Sequence, residues 1–511
     1  MPHPAQAAAW GLGRVAALEH PDRWGGLIDL PAELDADTAG RFAAVLAGLD
    51  GEDQVAVRPG ATLGRRLLPA PERPAQRWNP TGTVLVTGGT GALGAQVARY
   101  LAAAGAQHLV LLSRSGAAAP GAVELRAELA ELGTSATVEA CDVADRDALA
   151  AVLDGIPAAH PLTGVVHAAG VLDDGVLDGL TPDRFDAVLR TKVTGALLLD
   201  ELTREHEPTA FVLFSSASAA VGNAGQAGYA AANAVLDALA EQRHAAGLPA
   251  TSIAWGAWAG AGMAAGQDAA DGAQRGGVDA MRPDLALRAL DELATGPEPA
   301  PLVAAVGERF ARAFTATRPS PLLRELPGHA EHAAPAPADR GSLRAELAEL
   351  PAGRRRDVLL DLVREHSADI LGHPGPDSVG PDRAFRELGF DSLAAVELRN
   401  RLGAASGLRL GATMVFDHPT PADLAEHLLA ELGIGGDPAA DDADEARIRR
   451  LLATAPLSAL RAAGVLEALD GLDGPGGEHA DGTETGSDES IDAMALDDLV
   501  QAALDGAVET D

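Results

Sequence analysis

The chain has 511 residues, with 39 Lys and Arg against 74 Asp and Glu, a net charge of −35. That balance excludes binding to nucleic acid or anionic membranes, which both require basic patches, and the single cysteine, Cys141, excludes an intrachain disulfide or a cysteine metal cluster. No apolar run of about twenty residues occurs and no basic-then-apolar leader opens the chain, so a soluble, cytoplasmic, multidomain protein without a metal site is expected.

In chain order, residues 1–78 are mixed, with a helix expected near Ala5–Ala17 and a strand at Gly26–Leu30. Residues 79–327 alternate apolar strands with amphipathic helices, the rhythm of a parallel α/β sheet. A Pro/Ala/His-rich stretch marks a linker over 328–341. Residues 342–433 read as helices only, and 434–444 as a second linker. Two short helices follow over 445–472, then an acidic, Gly-rich stretch over 473–490, then a last amphipathic helix within 491–511. From Asp473 onward there is no Lys or Arg, the composition of a solvated segment.

The first strand of the α/β region, Thr83–Thr87, runs into Gly88-Gly89-Thr90-Gly91-Ala92-Leu93-Gly94 and a helix. Strand, glycine turn and helix in that order set a pyrophosphate against free N–H groups at a helix N-terminus. Thr87 and the seven residues of the turn are therefore expected to bind a dinucleotide. The second strand, His108–Leu112, ends in Ser113 and Arg114. An NAD site usually carries Asp or Glu there; arginine suits a 2′-phosphate, which favours NADPH. Cys141-Asp142-Val143 follows the third strand, where an acid can contact adenine. His167-Ala168-Ala169-Gly170 follows the fourth, where small residues leave room for the cofactor.

Phe211–Phe214 is a further buried strand, and Ser216 lies at its C-terminal end, the edge where open α/β sheets bind ligands. Tyr229 and Asn233 share one face of the next helix. Lys192, the sole lysine, lies upstream in a helix expected over Arg184–Leu199. Taken singly, each has a plain structural reading: a strand cap, a packed aromatic, a surface amide.

Together TGGTGALG, HAAG, Lys192, Ser216, Tyr229 and Asn233 resemble the ketoreductase of modular polyketide synthases, a branch of the short-chain dehydrogenase/reductase family with a Rossmann-type fold. Most of that family has a lysine four residues after the tyrosine; the polyketide branch exchanges it for asparagine, as here. The resemblance implies NADPH-dependent reduction of a β-ketoacyl thioester. Tyr229 would donate the proton, Lys192 would lower the phenol pKa, Ser216 would bind the substrate carbonyl and Asn233 would hold a proton relay. Leu172-Asp173-Asp174 matches the signature of B-type enzymes, which give the D-alcohol. Val221 stands where A-type enzymes carry tryptophan, and Ala231 where epimerising B-type enzymes carry proline, so the type implied is B and non-epimerising. Trp255–Met263 resembles the segment leading into a substrate lid. Residues 1–78 resemble only the second half of the family's inert structural subdomain.

Residues 342–433, with LGFDSL at 388–393, resemble the four-helix-bundle acyl carrier proteins of the same synthases. Ser392 would carry 4′-phosphopantetheine, installed by a phosphopantetheinyl transferase. The two helices over 445–472 and the helix in 491–511 resemble a C-terminal docking domain, which implies a homodimer and a downstream synthase whose N-terminal coiled coil receives the tail. The rival reading is a non-reducing carrier and docking scaffold.

Overall fold

The computed structural model describes residues 3–434, apart from 49–50, 72–76, 261–277, 308–309, 312–313, 315–319, 328–341, 372, 374, 391, 409 and 412–413. The linker 328–341, Met263 of the lid-like segment, and the expected linker, paired helices, acidic stretch and docking helix over 435–511 lie outside the described residues.

One parallel seven-stranded sheet organises the α/β region. Its strands are β4 (Thr83–Thr87), β5 (His108–Ser113), β6 (Ser135–Ala140), β7 (Leu162–His167), β8 (Ala210–Ser216), β9 (Thr251–Trp255) and β10 (Leu302–Val303), in the order β10-β9-β8-β7-β4-β5-β6. The order reverses at β4, and in such sheets the ligand crevice opens beyond the strand ends at that switch. The inner strands β4, β5 and β8 read as largely apolar runs because both faces are covered, whereas the edge strand β6 is mostly exposed. β4 shows it: Val84 and Val86 enter one core and Leu85 the other, following the two-residue period of a strand.

On the first face lie α3 (Ala92–Ala103), α4 (Ala122–Glu131) and α10 (Pro283–Leu293), contributing Leu101, Leu129 and Leu290. On the second lie α5 (Arg146–Asp154), α7 (Gly195–Leu202) and α9 (Ala227–Ala245), contributing Leu149, Leu199 and Leu239. Between α6 (Pro182–Leu189) and α7 the helix widens into a π-turn over Arg190–Thr194, so the single long helix expected from sequence is interrupted at the lysine. A short α8 (Ala217–Val221) joins β8 to α9.

The amino-terminal region comprises α1 (Pro4–Glu19), α2 (Ala36–Leu46) and a three-stranded sheet of β1 (Leu27–Asp29), β2 (Gln54–Arg58) and β3 (Ala61–Gly64). β1 and β2 run parallel, and β2 and β3 antiparallel. Asp35 caps α2, accepting the Thr38 N–H at 2.8 Å. α1 lies directly on α9. A Cβ at Gly11 would press into the Ala230 carbonyl and come within 2.8 Å of the Ala231 Cα, so only glycine allows this separation of the two helices. Polar grips reinforce the packing. Arg14 donates to the Ala219 carbonyl and, at 3.0 Å, to Gln54; Arg65 donates to the Ala220 carbonyl at 2.7 Å.

The helical region holds α11 (Ser342–Ala348), α12 (Ala352–Leu371), α13 (Ser392–Ser406), α14 (Met414–Asp417) and α15 (Pro421–Glu431). They close over their own core, in which Leu359, Val363, Phe385, Leu398, Leu402, Leu424 and Leu428 are buried. Ser392 opens α13. From α13, Asn400 donates to the Leu18 carbonyl at 2.8 Å, and Arg399 donates to the Glu19 carbonyl. These side chains satisfy acceptors that the end of α1 leaves unpaired.

Gly11→Ala is expected to lower stability by about 1–3 kcal/mol, because the added methyl forces α1 off α9. Urea unfolding of the variant against the parent checks it.

Candidate active site

The glycine turn forms as the spacing predicts. Gly88 takes a left-handed φ of +66°, open to glycine at little cost, and a Cβ there would come within 3.0 Å of Ala169 Cα. A Cβ at Gly94 would drive into the Gly88 carbonyl oxygen, so the turn closes only on glycine. Gly91 caps α3 without a side chain, which leaves the first N–H groups of α3 facing outward with no side-chain acceptor at the cap. Thr90, Ala92 and Leu93 complete the cradle at the C-terminal ends of the strands. These features fit a dinucleotide pyrophosphate.

Beyond β5, Arg114 is exposed, and the buried Ser113 Oγ has no hydrogen-bond partner among the described residues. Asp142 accepts from the Ala144 N–H at 3.0 Å and from Arg190 at 2.9 Å. These contacts, the backbone one first, hold its carboxyl below its usual range. Cys141 and Val143 are buried beside it, and burial pushes the Cys141 thiol up.

The HAAG segment divides its work. His167, expected in the cofactor set, is fully buried, and both of its ring nitrogens are engaged inside the protein. Nε2 lies 3.0 Å from the Lys192 carbonyl, which can only accept, so Nε2 carries the hydrogen. Nδ1 therefore accepts from Thr87 Oγ1 at 2.7 Å, and Thr87 in turn accepts the Ala169 N–H at 3.2 Å. Burial drops the imidazole to about 3, so it stays neutral. The histidine holds the π-turn rather than facing the crevice. Ala168, Ala169 and Gly170 border it instead; a Cβ at Gly170 would meet Lys192 Cε at 2.9 Å.

Lys192 occupies that space. Only 3% of it is exposed. Nζ donates to the Phe214 carbonyl at 2.8 Å and sits 5.1 Å from the centre of the Tyr229 ring. The π-turn, a feature found mainly at functional sites, turns the side chain inward at this point. Gly195 follows, where a Cβ would strike Val143 at 2.7 Å. Burial lowers the ammonium to about 7, opposed by the charge of Asp237.

Tyr229 is half-buried in the first turn of α9. Burial pushes its phenol up to about 12, while hydrogen bonds from Asn233 and Ser216 pull the other way. Burial is the largest influence on this phenol. Loss of solvation outweighs the neighbouring groups, and the phenol stays protonated at neutral pH. Asn233 Nδ2 donates to the Tyr229 carbonyl at 2.8 Å, and its buried Oδ1 has no partner among the described residues. Ser216 Oγ accepts the Ser218 N–H at 3.3 Å, so the same hydroxyl also caps α8.

Sequence reasoning overlooked Asp237. It lies four residues beyond Asn233, accepts from Ser252 Oγ at 2.7 Å and is hydrogen-bonded by Ser215. Burial lifts it to about 6. An acid four residues past Asn233 and eight past Tyr229, on a helix otherwise rich in Ala, was the available signal.

The Leu172-Asp173-Asp174 loop is pinned rather than free. Arg184 Nε donates to Asp173 at 2.7 Å, and Nη2 to the Asp174 carbonyl at 2.7 Å. Gln226 donates to Asp174 at 2.8 Å, and the Gly175 N–H to the Gly225 carbonyl at 2.7 Å. Leu172 is 36% exposed. The loop is therefore held directly against the segment that leads into Tyr229. Val221 is buried in α8, and Ala231 is fully buried in α9.

Comparison with known proteins points the same way. A KR domain model matches residues 82–260. A phosphopantetheine attachment site model matches 361–428, and the Rossmann fold domain of the polyketide synthase extender module SpnB matches 1–67. The chain is 49% identical to the pikromycin polyketide synthase component PikAIII of Streptomyces venezuelae, over 98% of this chain and 34% of that protein. It is 53% identical to the polyketide synthase GfsA of Streptomyces halstedii, over 84% of this chain and 6% of that one. The chain thus spans about a third or less of the curated relatives it matches. Among solved structures, an A-type ketoreductase from a modular polyketide synthase shares 53% identity, with a TM-score of 0.62, over 64% of this chain and 70% of that one. A C2-type ketoreductase shares 46% with a TM-score of 0.60, over 63% and 70%.

With the only lysine labelled with 13C, its resonances should titrate near pH 7, well below an ordinary lysine. Asp237→Asn should move that midpoint lower, since the carboxylate opposes the burial effect. The same NMR titration reads both.

Proposed function

Since the chain belongs to the modular polyketide synthases and carries a ketoreductase and a phosphopantetheine carrier region, we propose that it reduces a carrier-bound β-ketoacyl thioester with NADPH and gives the D-alcohol. The observation that carries the reading is the joint placement of Lys192, Tyr229, Asn233 and Ser216 at the strand ends beside a glycine turn closed on α3.

When bound, NADPH would supply a hydride for the ketone carbon, which leaves this chain's residues to deliver one proton to the ketone oxygen. Thr87 and the Gly88–Gly94 turn would hold the pyrophosphate; Ser113 and Arg114 would meet the 2′-phosphate, with the unpartnered Ser113 Oγ in favour; Asp142, held by Arg190, borders the adenine side. Tyr229 gives its phenolic proton to the ketone oxygen. A phenol near 12 is a donor and not a base at neutral pH. Ser216 Oγ donates to the same oxygen and stabilises its developing charge. The Lys192 ammonium faces the phenolate that remains, where its charge is worth more because the site is dry. Asn233 Oδ1, buried and unpartnered among the described residues, accepts from a relay water that restores the proton.

The Leu172–Asp174 loop, tied to Gln226 and Arg184, supports the B-type reading, as do Val221 and Ala231. Solved relatives of similar overall identity carry both A-type and C2-type in their titles, so type rests on these local residues. Ser392, at the start of α13, would carry the phosphopantetheine arm after action of a transferase. The residues over 445–511 would pair two copies and hand the chain to a downstream synthase in the cytoplasm. No helix among the described residues is long and apolar enough to cross a membrane.

Incubated with NADPH and a β-ketoacyl thioester, the full chain should yield mostly the D-alcohol by chiral chromatography. Tyr229→Phe should cut the rate by roughly 10²–10⁴-fold. Mostly L-alcohol would keep the catalytic reading and overturn the B-type one; folded, NADPH-binding protein without turnover would favour the scaffold reading. Phosphopantetheinylation should add mass to the parent and not to Ser392→Ala.

A further inference from the structure

Glu19, the last residue of α1, comes from the region that the family treats as inert. Its side chain is 1% exposed. One carboxylate oxygen accepts the Leu177 N–H at 2.6 Å and the other accepts the Gly225 N–H at 2.6 Å. Leu177 lies three residues past Asp174, and Gly225 four residues before Tyr229. The carboxylate therefore bridges the segment that follows the Leu172–Asp174 loop and the turn that leads into Tyr229, and charge-assisted bonds to backbone amides are short and directional.

Neighbouring contacts agree with this bridge. The Gly175 N–H meets the Gly225 carbonyl, Gln226 reaches Asp174, and His20 lies 3.5 Å from Asp178. Val15 of α1 packs with Ala227 and Ala230 of α9, with Leu177 and Leu180 against them. Arg399 of α13 donates to the backbone carbonyl of the same Glu19.

We propose that Glu19 is a positioning residue for the reduction, setting the spacing between the Leu172–Asp174 loop and the turn that carries Tyr229, and so the face on which the substrate enters. The inference rests on the reading of that loop as the stereocontrol element. It predicts a role distinct from general packing. Glu19→Gln keeps one acceptor and turns an NH2 toward the second amide, which separates the two segments. Val15→Ala loosens the same helix without touching the bridge.

In the full chain, Glu19→Gln should raise the minor alcohol at least tenfold and raise KM for the thioester, with kcat less affected and NADPH affinity unchanged. Val15→Ala should leave the product ratio alone. Hydrogen exchange at the Leu177 and Gly225 amides should quicken in Glu19→Gln while exchange in the Gly88–Gly94 turn stays as in the parent, a readout independent of turnover. Should Glu19→Gln not fold, Glu19→Asp, one methylene too short to span both amides, carries the same test. An unchanged ratio and unchanged exchange would falsify the inference, as would equal erosion of the ratio by Val15→Ala. Leu172→Ala separates the two readings: if it shifts the ratio while Glu19→Gln does not, the bridge alone fails; if neither does, the stereocontrol reading fails too.

Discussion

The arrangement of the whole cleft depends on keeping one amine out of water. Lys192 Nζ has a single backbone acceptor, Phe214, and an aromatic ring for company. A buried ammonium is stable only where such partners offset its lost hydration. The surrounding sequence can be understood from that need. Gly170 clears volume for the side chain, Gly195 lets the helix close on Val143 and His167, the π-turn aims the side chain, and His167 holds the turn through the Lys192 carbonyl. Asp237 keeps part of the charge from being lost altogether.

What was legible in the sequence follows from which constraints map onto residue type. The Gly88–Gly94 turn could be read because only glycine tolerates those approaches. The inner strands could be read because burial on both faces leaves a largely apolar run. The carrier region could be read because LGFDSL sits before a helix whose apolar spacing closes a core of its own. The π-turn could not, since one extra residue inside a helix barely disturbs a 3.6-residue pattern. The titration behaviour of Tyr229 could not either, because depth of burial is a property of the folded sheet. Nor could Glu19 be assigned: its partners are backbone amides 158 and 206 residues away, and an amide leaves no trace in residue identity.

The amino-terminal region is better described as a splint than as ballast. Its three grips, Arg14 and Arg65 on the carbonyls of α8 and Glu19 on two amides, all engage main-chain atoms of the catalytic region. Gly11 brings α1 close enough for them to reach. Contacts of this kind fix geometry while leaving the side chains facing the cleft free to vary, so one scaffold can present different substrate walls.

The solitary lysine has a consequence for reagents. Every other side-chain cation in the 39 basic residues is a guanidinium, which keeps its proton throughout the accessible pH range. Acylating or alkylating agents that seek neutral amines therefore find one side-chain target in this chain, and it lies beside the Tyr229 ring with its basicity already lowered by burial. With 3% of the residue exposed, a reagent reaches that nitrogen only when the surrounding residues part, so its rate of modification reports local opening around Lys192 without an engineered label.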